Sequence, residues 1–299
     1  MLRTRLLTAS VLAPVILAIV LLGEPWLSLL LGVAAFLAFV ELVGLLDAAG
    51  YEPPQVLTIL AGMSLVGAGL VSINEASMGG GVATLLDALA PPGLVAATAV
   101  AAVLLVSIAA FTRADPRTGF VTWATTSFGL AYVGLLLPTI ALVAHLSPPG
   151  ASASSAVGPF GVASGSAWGL MLLLVVWGYD TGAYLTGRWL GRRHMLDHIS
   201  PSKTIEGLTG GLIVATAGAG IGAFVLGLDA WHPLVIGPVV GLAAQAGDLA
   251  ESMIKRAAGR KESGFLMPGH GGILDRMDSL LFAAPVLAGY ALLVAGRVA

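Results

Sequence analysis

Carboxylate and basic side chains recur together in the last third of this sequence. The run Gly247-Asp-Leu-Ala-Glu-Ser-Met-Ile-Lys-Arg256 contains four polar residues at helical spacing, which places them on one face of a predicted helix: Asp248, Glu251, Ser252 and Lys255. An aspartate within an apolar span needs a partner, a metal or water. The structural alternative is an ion pair, Asp248–Lys255 or Glu251–Lys255, at the membrane edge.

A second run, His270-Gly-Gly-Ile-Leu-Asp-Arg-Met-Asp278, precedes the last apolar stretch. Asp275 and Asp278 share a helical face, and with Asp248 they would form a carboxylate cage for a hard cation such as Mg²⁺. The two glycines allow backbone N–H groups to approach an anion closely. The alternatives are ordinary helix caps and a loop histidine at position 270.

Basic residues cluster beside these carboxylates: Lys255, Arg256, Arg260, Lys261 and Arg276. Cations that alternate with carboxylates suit a polyanionic substrate carried with its metals. A simpler alternative is attraction to anionic lipid headgroups, worth about 1 kcal/mol for each cation.

Two further segments carry polar groups. In Ser200-Pro-Ser-Lys-Thr-Ile-Glu-Gly207, Ser200 or Ser202 either caps the following helix or helps its amides and Lys203 to bind an anion. Asp180 lies with Tyr184 on one face of an apolar span, so Asp180 should face a cavity or a partner. Glu41, inside another span, is either functional in the same way or structural.

The composition requires membrane-spanning elements to position these residues. Of 299 residues, 57% are hydrophobic and only 10% are charged, with a mean hydropathy of +0.95. A soluble enzyme and a disordered chain are excluded by this composition. Nucleic-acid binding is not expected, because 14 Lys and Arg face 16 Asp and Glu. The absence of cysteine excludes disulfides and thiolate chemistry.

The fold class predicted is an all-α polytopic membrane protein. Nine apolar stretches are long enough to span a bilayer: 6–22, 26–46, 56–73, 94–111, 127–146, 167–187, 208–228, 234–252 and 279–296. The first resembles a signal peptide, but no small-residue cleavage site follows it, so it is interpreted as an uncleaved span.

The basic residues predict the orientation of these spans. All except Arg297 fall in alternate connections, 1–5, 47–55, 112–126, 188–207 and 253–278. The positive-inside rule therefore predicts a cytoplasmic N-terminus and an outer C-terminus.

Residues 1–150 form an N-terminal region of about five spans. Residues 151–299 form a catalytic region of about four spans, with cytoplasmic loops 188–207 and 253–278, after an outer connection at 147–166.

Together the motifs resemble the phosphatidate cytidylyltransferase (CDP-diacylglycerol synthase) family. The resemblance rests on Asp180-x-x-x-Tyr184, Ser200-Pro-x-Lys-Thr-x-Glu-Gly207, Gly247-Asp-Leu-x-Glu-Ser-x-x-Lys-Arg256 and the stretch from Lys261 to Asp278. The first 150 residues agree only in hydropathy and in an acidic residue late in the second span. Glu262 stands where the family usually has Asp, and Ser202 where a second Lys is common.

The resemblance implies transfer of a cytidylyl group from CTP to phosphatidic acid, with release of pyrophosphate, at the cytoplasmic face of the inner (plasma) membrane. It implies Mg²⁺ and two cation sites, the second holding Mg²⁺ or another ion. The expected partners are CTP, phosphatidic acid and the bilayer, without nucleic acid; a homodimer is left open.

Metal ligands are expected at Asp248, Asp275, Asp278 and Glu251. Catalytic residues are expected at Asp248, Asp275, Lys255, Lys203 and Arg276. Substrate-binding residues are expected at Ser200, Thr204, Ser252, Arg256, Lys261, His270, Gly271, Gly272, Asp180 and Tyr184.

Rival functions predict other patterns. CDP-alcohol phosphotransferases usually show a denser run of aspartates, and membrane prenyltransferases show Asp-x-x-x-Asp pairs on two helices; neither is found. An ion-coupled transporter, with Asp180 and Glu41 as cation carriers, should have polar residues through both leaflets, whereas the charges here concentrate on one side.

Overall fold

A computed structural model describes residues 2–78, 92–147, 154–266 and 271–293, and most of them are helical. The α-helices are α1 (Leu2–Leu22), α2 (Trp26–Ala48), α3 (Gln55–Met78), α4 (Pro92–Phe111), α5 (Pro116–Gly129), α6 (Pro138–Ala144), α7 (Ser164–Leu190), α8 (Ile205–Leu226), α9 (His232–Ala257) and α10 (Leu274–Leu293). A π-helix, Leu130–Leu135, joins α5 to α6. Two short antiparallel hairpins pair β1 (Ala156–Val157) with β2 (Val162–Ala163) and β3 (His194–Leu196) with β4 (Ser200–Thr204).

Seven helices in the described part of the chain are long and apolar enough to cross a membrane. One of them is the continuous run Pro116–Ala144 through α5, the π-helix and α6. The seven do not include α1 or α7. The mostly helical, polytopic membrane fold is therefore confirmed, whereas the count of nine spans, the orientation and the division near residue 150 stay predictions.

Helix α5 begins earlier than the sequence analysis predicts. Asp115 caps it by accepting hydrogen bonds from the hydroxyl of Thr118 at 2.7 Å and from the backbone N–H of Thr118 at 2.9 Å. These bonds lower the pKa of the Asp115 carboxyl, the hydroxyl bond most. The predicted connection 112–126 was therefore too long, because only residues 112–115 remain outside the helices.

The two predicted catalytic loops are also shorter than expected. In 188–207, α7 continues to Leu190, and the β3–β4 hairpin fills most of the remainder. In 253–278, α9 continues to Ala257, and α10 begins at Leu274. Asp275 and Asp278 therefore lie in the first turns of the last helix, not before it. Helix α9 is continuous through Pro238.

Two buried apolar clusters hold the helices together, and α10 contributes to both. The first joins α2, α3 and the π-helix around Phe39 and Leu42, and includes Leu281 of α10. The second joins α7, α8 and α9 around Tyr179 and includes Leu287 of α10. The last helix is thus fixed by contacts with both halves of the chain.

Candidate active site

A cavity of about 500 Å³ lies between α7, α8, α9 and α10, with β4 at its edge. Among its lining residues, four carboxylates and four basic side chains balance in formal charge: Asp180, Asp248, Asp275, Asp278, Arg188, Lys203, Lys255 and Arg276. The remaining lining residues are small, hydroxylic or weakly polar, apart from Leu208: Ala183, Tyr184, Gly187, Ser202, Thr204, Gly207, Gln245 and Ser279. A polar cavity of this kind among apolar helices is suited to a charged ligand.

Close contact between α9 and α10 brings two of these carboxylates to facing walls. A Cβ atom at Gly247 would lie 2.2 Å from the carbonyl oxygen of Asp278, so only glycine permits this approach. Asp248 follows directly on α9 and faces the same cavity as Asp275 and Asp278 on α10. The structure thus brings together carboxylates that are almost 30 positions apart in sequence.

The β3–β4 hairpin positions Lys203. The carboxylate of Glu206 accepts hydrogen bonds from the backbone N–H groups of Arg192 and Arg193 at 3.0 and 3.2 Å, which holds the hairpin against the start of α8. From β4, Lys203 forms an ion pair with Asp248 of α9. Both side chains remain between one-fifth and one-quarter exposed, so they are accessible from the cavity.

The N-terminal cap of α8 is neither Ser200 nor Ser202, and this prediction was wrong. Thr204 caps the helix, because its hydroxyl accepts a hydrogen bond from the backbone N–H of Gly207 at 3.1 Å. Ser200 is buried in β4 and does not line the cavity, whereas Ser202 and Thr204 do. The cap lies nearer to the helix because the preceding residues form a strand.

Lys255 is held between two carboxylates. Its ammonium lies 2.5 Å from Glu251 Oε2 and 2.5 Å from Asp275 Oδ1. The three side chains are 10%, 0% and 7% exposed, so the group is nearly dry. The Glu251–Lys255 pair offered as the structural alternative is therefore present, but Asp275 joins it. A buried cation between two anions is fixed in position, since loss of any member leaves an unpaired buried charge.

The remaining hydrogen-bonding capacity of Asp275 is also satisfied by protein groups. Its Oδ2 accepts from the backbone N–H of Gly272 at 2.8 Å and from the N–H and hydroxyl of Ser263 at 2.9 and 2.8 Å. Gly271 has a φ of +78°, and a Cβ atom there would lie 2.6 Å from the same oxygen. The anion beside the glycine pair is therefore Asp275 itself. His270 lies outside the described residues.

Glu41 of α2 completes this network from the other half of the chain. Its carboxylate accepts from the backbone N–H groups of Ile273 and Leu274 at 3.0 and 2.9 Å. It also lies 3.0 Å from the hydroxyl of Ser263, whose single proton it shares with Asp275. A carboxylate at the N-terminus of a helix satisfies otherwise unpaired N–H groups and favours the helix dipole. This geometry favours the structural interpretation of Glu41.

The cavity gathers about half of the predicted site residues. Those that line it are Asp180, Tyr184, Lys203, Thr204, Asp248, Lys255, Asp275, Arg276 and Asp278. Glu251, Gly271 and Gly272 lie behind it, in contact with Lys255 or Asp275. Ser252 donates to Asp248 at 3.3 Å. Arg256 donates to the carbonyl groups of Ile199 and Arg260, and Lys261 is exposed. The substrate roles of these residues stay predictions.

The sequence analysis missed Arg188 and Gln245 as lining residues. Arg188 lies four positions after Tyr184 and eight after Asp180, so extending the same helical face by one turn would have found it. Gln245 accepts a hydrogen bond from the hydroxyl of Tyr179 at 2.7 Å and lies one turn before Asp248.

The cavity suits a divalent metal at some of the predicted ligands. Asp248 and Asp278 face the cavity, and among the described residues the one hydrogen-bond donor to the Asp278 carboxylate is the backbone N–H of Ser279 at 2.6 Å. Asp180 faces the same cavity. Carboxylate oxygens supplemented by water are what Mg²⁺ prefers. No three His, Cys, Asp or Glu side chains in the described ranges already form a metal-binding cluster, however. Asp275 and Glu251 are engaged with Lys255.

Comparisons with known proteins agree with the motifs. The family model described as the cytidylyltransferase family matches residues 3–294. Phosphatidate cytidylyltransferase of Synechocystis sp. is 42% identical over 127 residues, which are 42% of this chain and 43% of that protein. The enzyme of the same name from Staphylococcus haemolyticus is 46% identical over 120 residues, 40% of this chain and 46% of the relative. That from Bacillus subtilis is 45% identical over 116 residues, covering 38% and 43%. The chain thus spans less than half the length of these curated relatives.

Proposed function

Because this chain belongs to the cytidylyltransferase family, we propose that it transfers a cytidylyl group from CTP to phosphatidic acid, giving CDP-diacylglycerol and pyrophosphate. The observation that supports this proposal most is the cavity in which four cations and four carboxylates meet among apolar helices. Such a cavity can accept a water-soluble polyanion and an anionic lipid together. We place it at the cytoplasmic face of the cell membrane, where the charge distribution of the loops predicts it.

The reaction is a nucleophilic displacement at phosphorus. A phosphate oxygen of phosphatidic acid forms a bond to the α-phosphorus of CTP, the bond from that phosphorus to the bridging oxygen breaks, and the electron pair leaves with pyrophosphate. The nucleophile is already an anion, so the protein needs no strong general base. The main barrier is repulsion between two anions, which positioned cations lower.

Each group of cavity residues then has a role. Lys203, Lys255 and Arg276 would bind the phosphate oxygens of CTP and the leaving pyrophosphate. Asp275 and Glu251 would hold the Lys255 ammonium in place, as their 2.5 Å contacts indicate. Asp248 and Asp278 would hold Mg²⁺, which would neutralise charge on the phosphates. This assignment is narrower than the four ligands expected from the sequence, because Glu251 and Asp275 are nearly buried against Lys255, at 0% and 7% exposed. Asp248 also pairs with a lysine, Lys203, but it remains 23% exposed to the cavity.

An assay of the purified chain in liposomes tests the proposal. With CTP, phosphatidic acid and Mg²⁺, we expect equal amounts of pyrophosphate and CDP-diacylglycerol, and chelation of the metal should stop both. ATP, GTP and UTP replace CTP in parallel reactions, and Asp248→Asn serves as the inactive comparison. Absence of both products with every divalent metal, in detergent and in liposomes, would refute the proposed activity.

A further inference from the structure

One wall of the cavity carries an arginine that the roles above do not use. Arg188, near the end of α7, lines the cavity together with Tyr184 one turn earlier. Its Nη1 donates to the Tyr184 hydroxyl at 2.7 Å, and its guanidinium carbon lies 6.0 Å from the centre of the tyrosine ring. Within the described ranges, no carboxylate forms an ion pair with Arg188, whereas Lys203 pairs with one carboxylate and Lys255 with two. Most of its five N–H donors are therefore available to a ligand.

The same end of α7 presents apolar and aromatic surface outward. Tyr184 is 61% exposed, Trp189 74% and Leu190 64%. In membrane-spanning proteins, Tyr and Trp at a helix end favour the level of the lipid headgroups. The opposite wall, formed by α9 and α10, is more enclosed, since the side chains of Lys255 and Asp275 are only 10% and 7% exposed. The α7 wall is thus the more exposed of these two sides of the cavity, and the side on which lipid headgroups are expected.

We propose that Arg188, positioned by Tyr184, binds the terminal phosphate of the lipid substrate as it enters from the bilayer. This inference rests on the proposed function and adds the residue that recognises the lipid. The ligand class is a phosphate monoester on a diacylglycerol, which carries nearly two charges and three unesterified oxygens at neutral pH. A guanidinium binds two of those oxygens side by side, and phosphodiester headgroups offer it fewer oxygens and less charge.

Interfacial anchoring is the competing explanation of Arg188, because a long basic side chain can reach the headgroups without binding a substrate. The two explanations differ in which kinetic constant changes. Lipid recognition predicts a change in the KM for phosphatidic acid alone. Anchoring predicts no change in KM for either substrate, and a role in binding the triphosphate predicts a change in the KM for CTP.

The test compares Arg188→Gln, Arg188→Lys and Arg192→Gln in mixed micelles. Arg192 is exposed near the same helix end but does not line the cavity, so it is a matched control for charge. In Arg188→Gln, loss of a charge-assisted contact should raise the KM for phosphatidic acid about tenfold or more, with the KM for CTP within about twofold of wild type. Arg188→Lys should show a smaller rise, because an ammonium lacks the two-pronged geometry. Arg192→Gln should match wild type.

A binding measurement without turnover separates this inference from the proposed function. Dioleoyl phosphatidic acid, but not dioleoyl phosphatidylcholine, should raise the thermal midpoint of wild type and Arg192→Gln in detergent and should raise that of Arg188→Gln less, because weaker binding stabilises less. If wild type binds phosphatidic acid through Arg188 but makes no product, the proposed activity fails and the lipid site stands. If product forms and Arg188→Gln keeps the wild-type KM and the same thermal shift, or if wild type shows no shift, the lipid site is overturned.

Discussion

The carboxylate of Glu41 accepts a hydrogen bond from the backbone N–H of Leu274 at 2.9 Å, across 233 positions of the chain. Helix α2 thereby holds the start of α10, the helix that carries Asp275 and Asp278. The carboxylates of Glu41 and Asp275 share the single hydroxyl proton of Ser263, at 3.0 and 2.8 Å from its oxygen. The N-terminal half of the chain is therefore a structural part of the site, although its loops carry no motif of their own.

Replacement of Glu41 tests this connection. In Glu41→Gln, the amide NH₂ would face N–H donors, so we expect a loss of about 1–3 kcal/mol in stability. The fall in thermal midpoint should be accompanied by a lower kcat, because the contacts that hold Asp275 at the start of α10 weaken. Asp47→Asn, on the same helix and exposed, is the control and should leave both values unchanged. A Glu41→Gln protein with wild-type midpoint and kcat would show that the contact is dispensable.

The buried group around Lys255 predicts a pattern of stability. Lys255→Met leaves Glu251 and Asp275 as buried carboxylates without their cation, at a cost of about 3–5 kcal/mol. The double variant Lys255→Met with Glu251→Gln should be more stable than Lys255→Met alone, since one uncompensated charge is removed. Thermal unfolding in detergent measures both, with the exposed Arg193→Met as control. A double variant less stable than the single one contradicts the charge argument.

The metal assignment predicts which carboxylate affects the Mg²⁺ requirement. Asp278→Asn removes a charge that faces the cavity, so turnover should need a higher Mg²⁺ concentration and reach a lower maximum. Asp229→Asn, exposed in the connection between α8 and α9, should behave as wild type. Turnover measured against Mg²⁺ concentration distinguishes the two. An unchanged Mg²⁺ dependence in Asp278→Asn would remove this residue from the metal site.

The close approach of α9 and α10 predicts the effect of one methyl group. In Gly247→Ala, the new Cβ would lie 2.2 Å from the carbonyl oxygen of Asp278, so the helices must separate and the carboxylates on them must move apart. We expect lower stability, by about 1–3 kcal/mol, and lower turnover. Gly289→Ala, on α10 in open space, should be neutral or slightly stabilising. Equal midpoints for the two variants would show that the helices can adjust freely.

The sequence predicts which residues belong to the site better than it predicts the hydrogen bonds and ion pairs between them. The spacing of Asp248, Lys255 and Asp275 places them on helix faces whose charges must avoid lipid, and the structure brings all three to one cavity. Whether a carboxylate faces a ligand or a protein donor depends on how the segment before the helix folds around it, and helical spacing does not predict this. Asp275 accepts from Gly272 at the helix-capping spacing of three residues, but also from Ser263, 12 positions earlier, which no periodicity connects to it.

The sequence predicts local structure where the apolar residues repeat at helical spacing along one helix, and it fails for segments that are held by contacts with other parts of the chain. The β3–β4 hairpin depends on Glu206 binding backbone groups of Arg192 and Arg193, and its strands of three and five residues are too short for an alternating pattern. The early start of α5 could have been predicted from the sequence, since Asp115 followed by Pro116 is a common helix start.

The orientation of the helices can be tested by chemical labelling, because the chain contains no cysteine. Lys261 and Asp229 are both exposed, and α9 lies between them, so the two positions should be on opposite sides of the membrane. The basic residues predict that Lys261 is cytoplasmic and Asp229 is outside. In intact cells, a membrane-impermeant maleimide should therefore label Asp229→Cys and not Lys261→Cys, and permeabilised cells should label both. Cells that label only Lys261→Cys before permeabilisation would invert the orientation and place the cavity on the side without CTP.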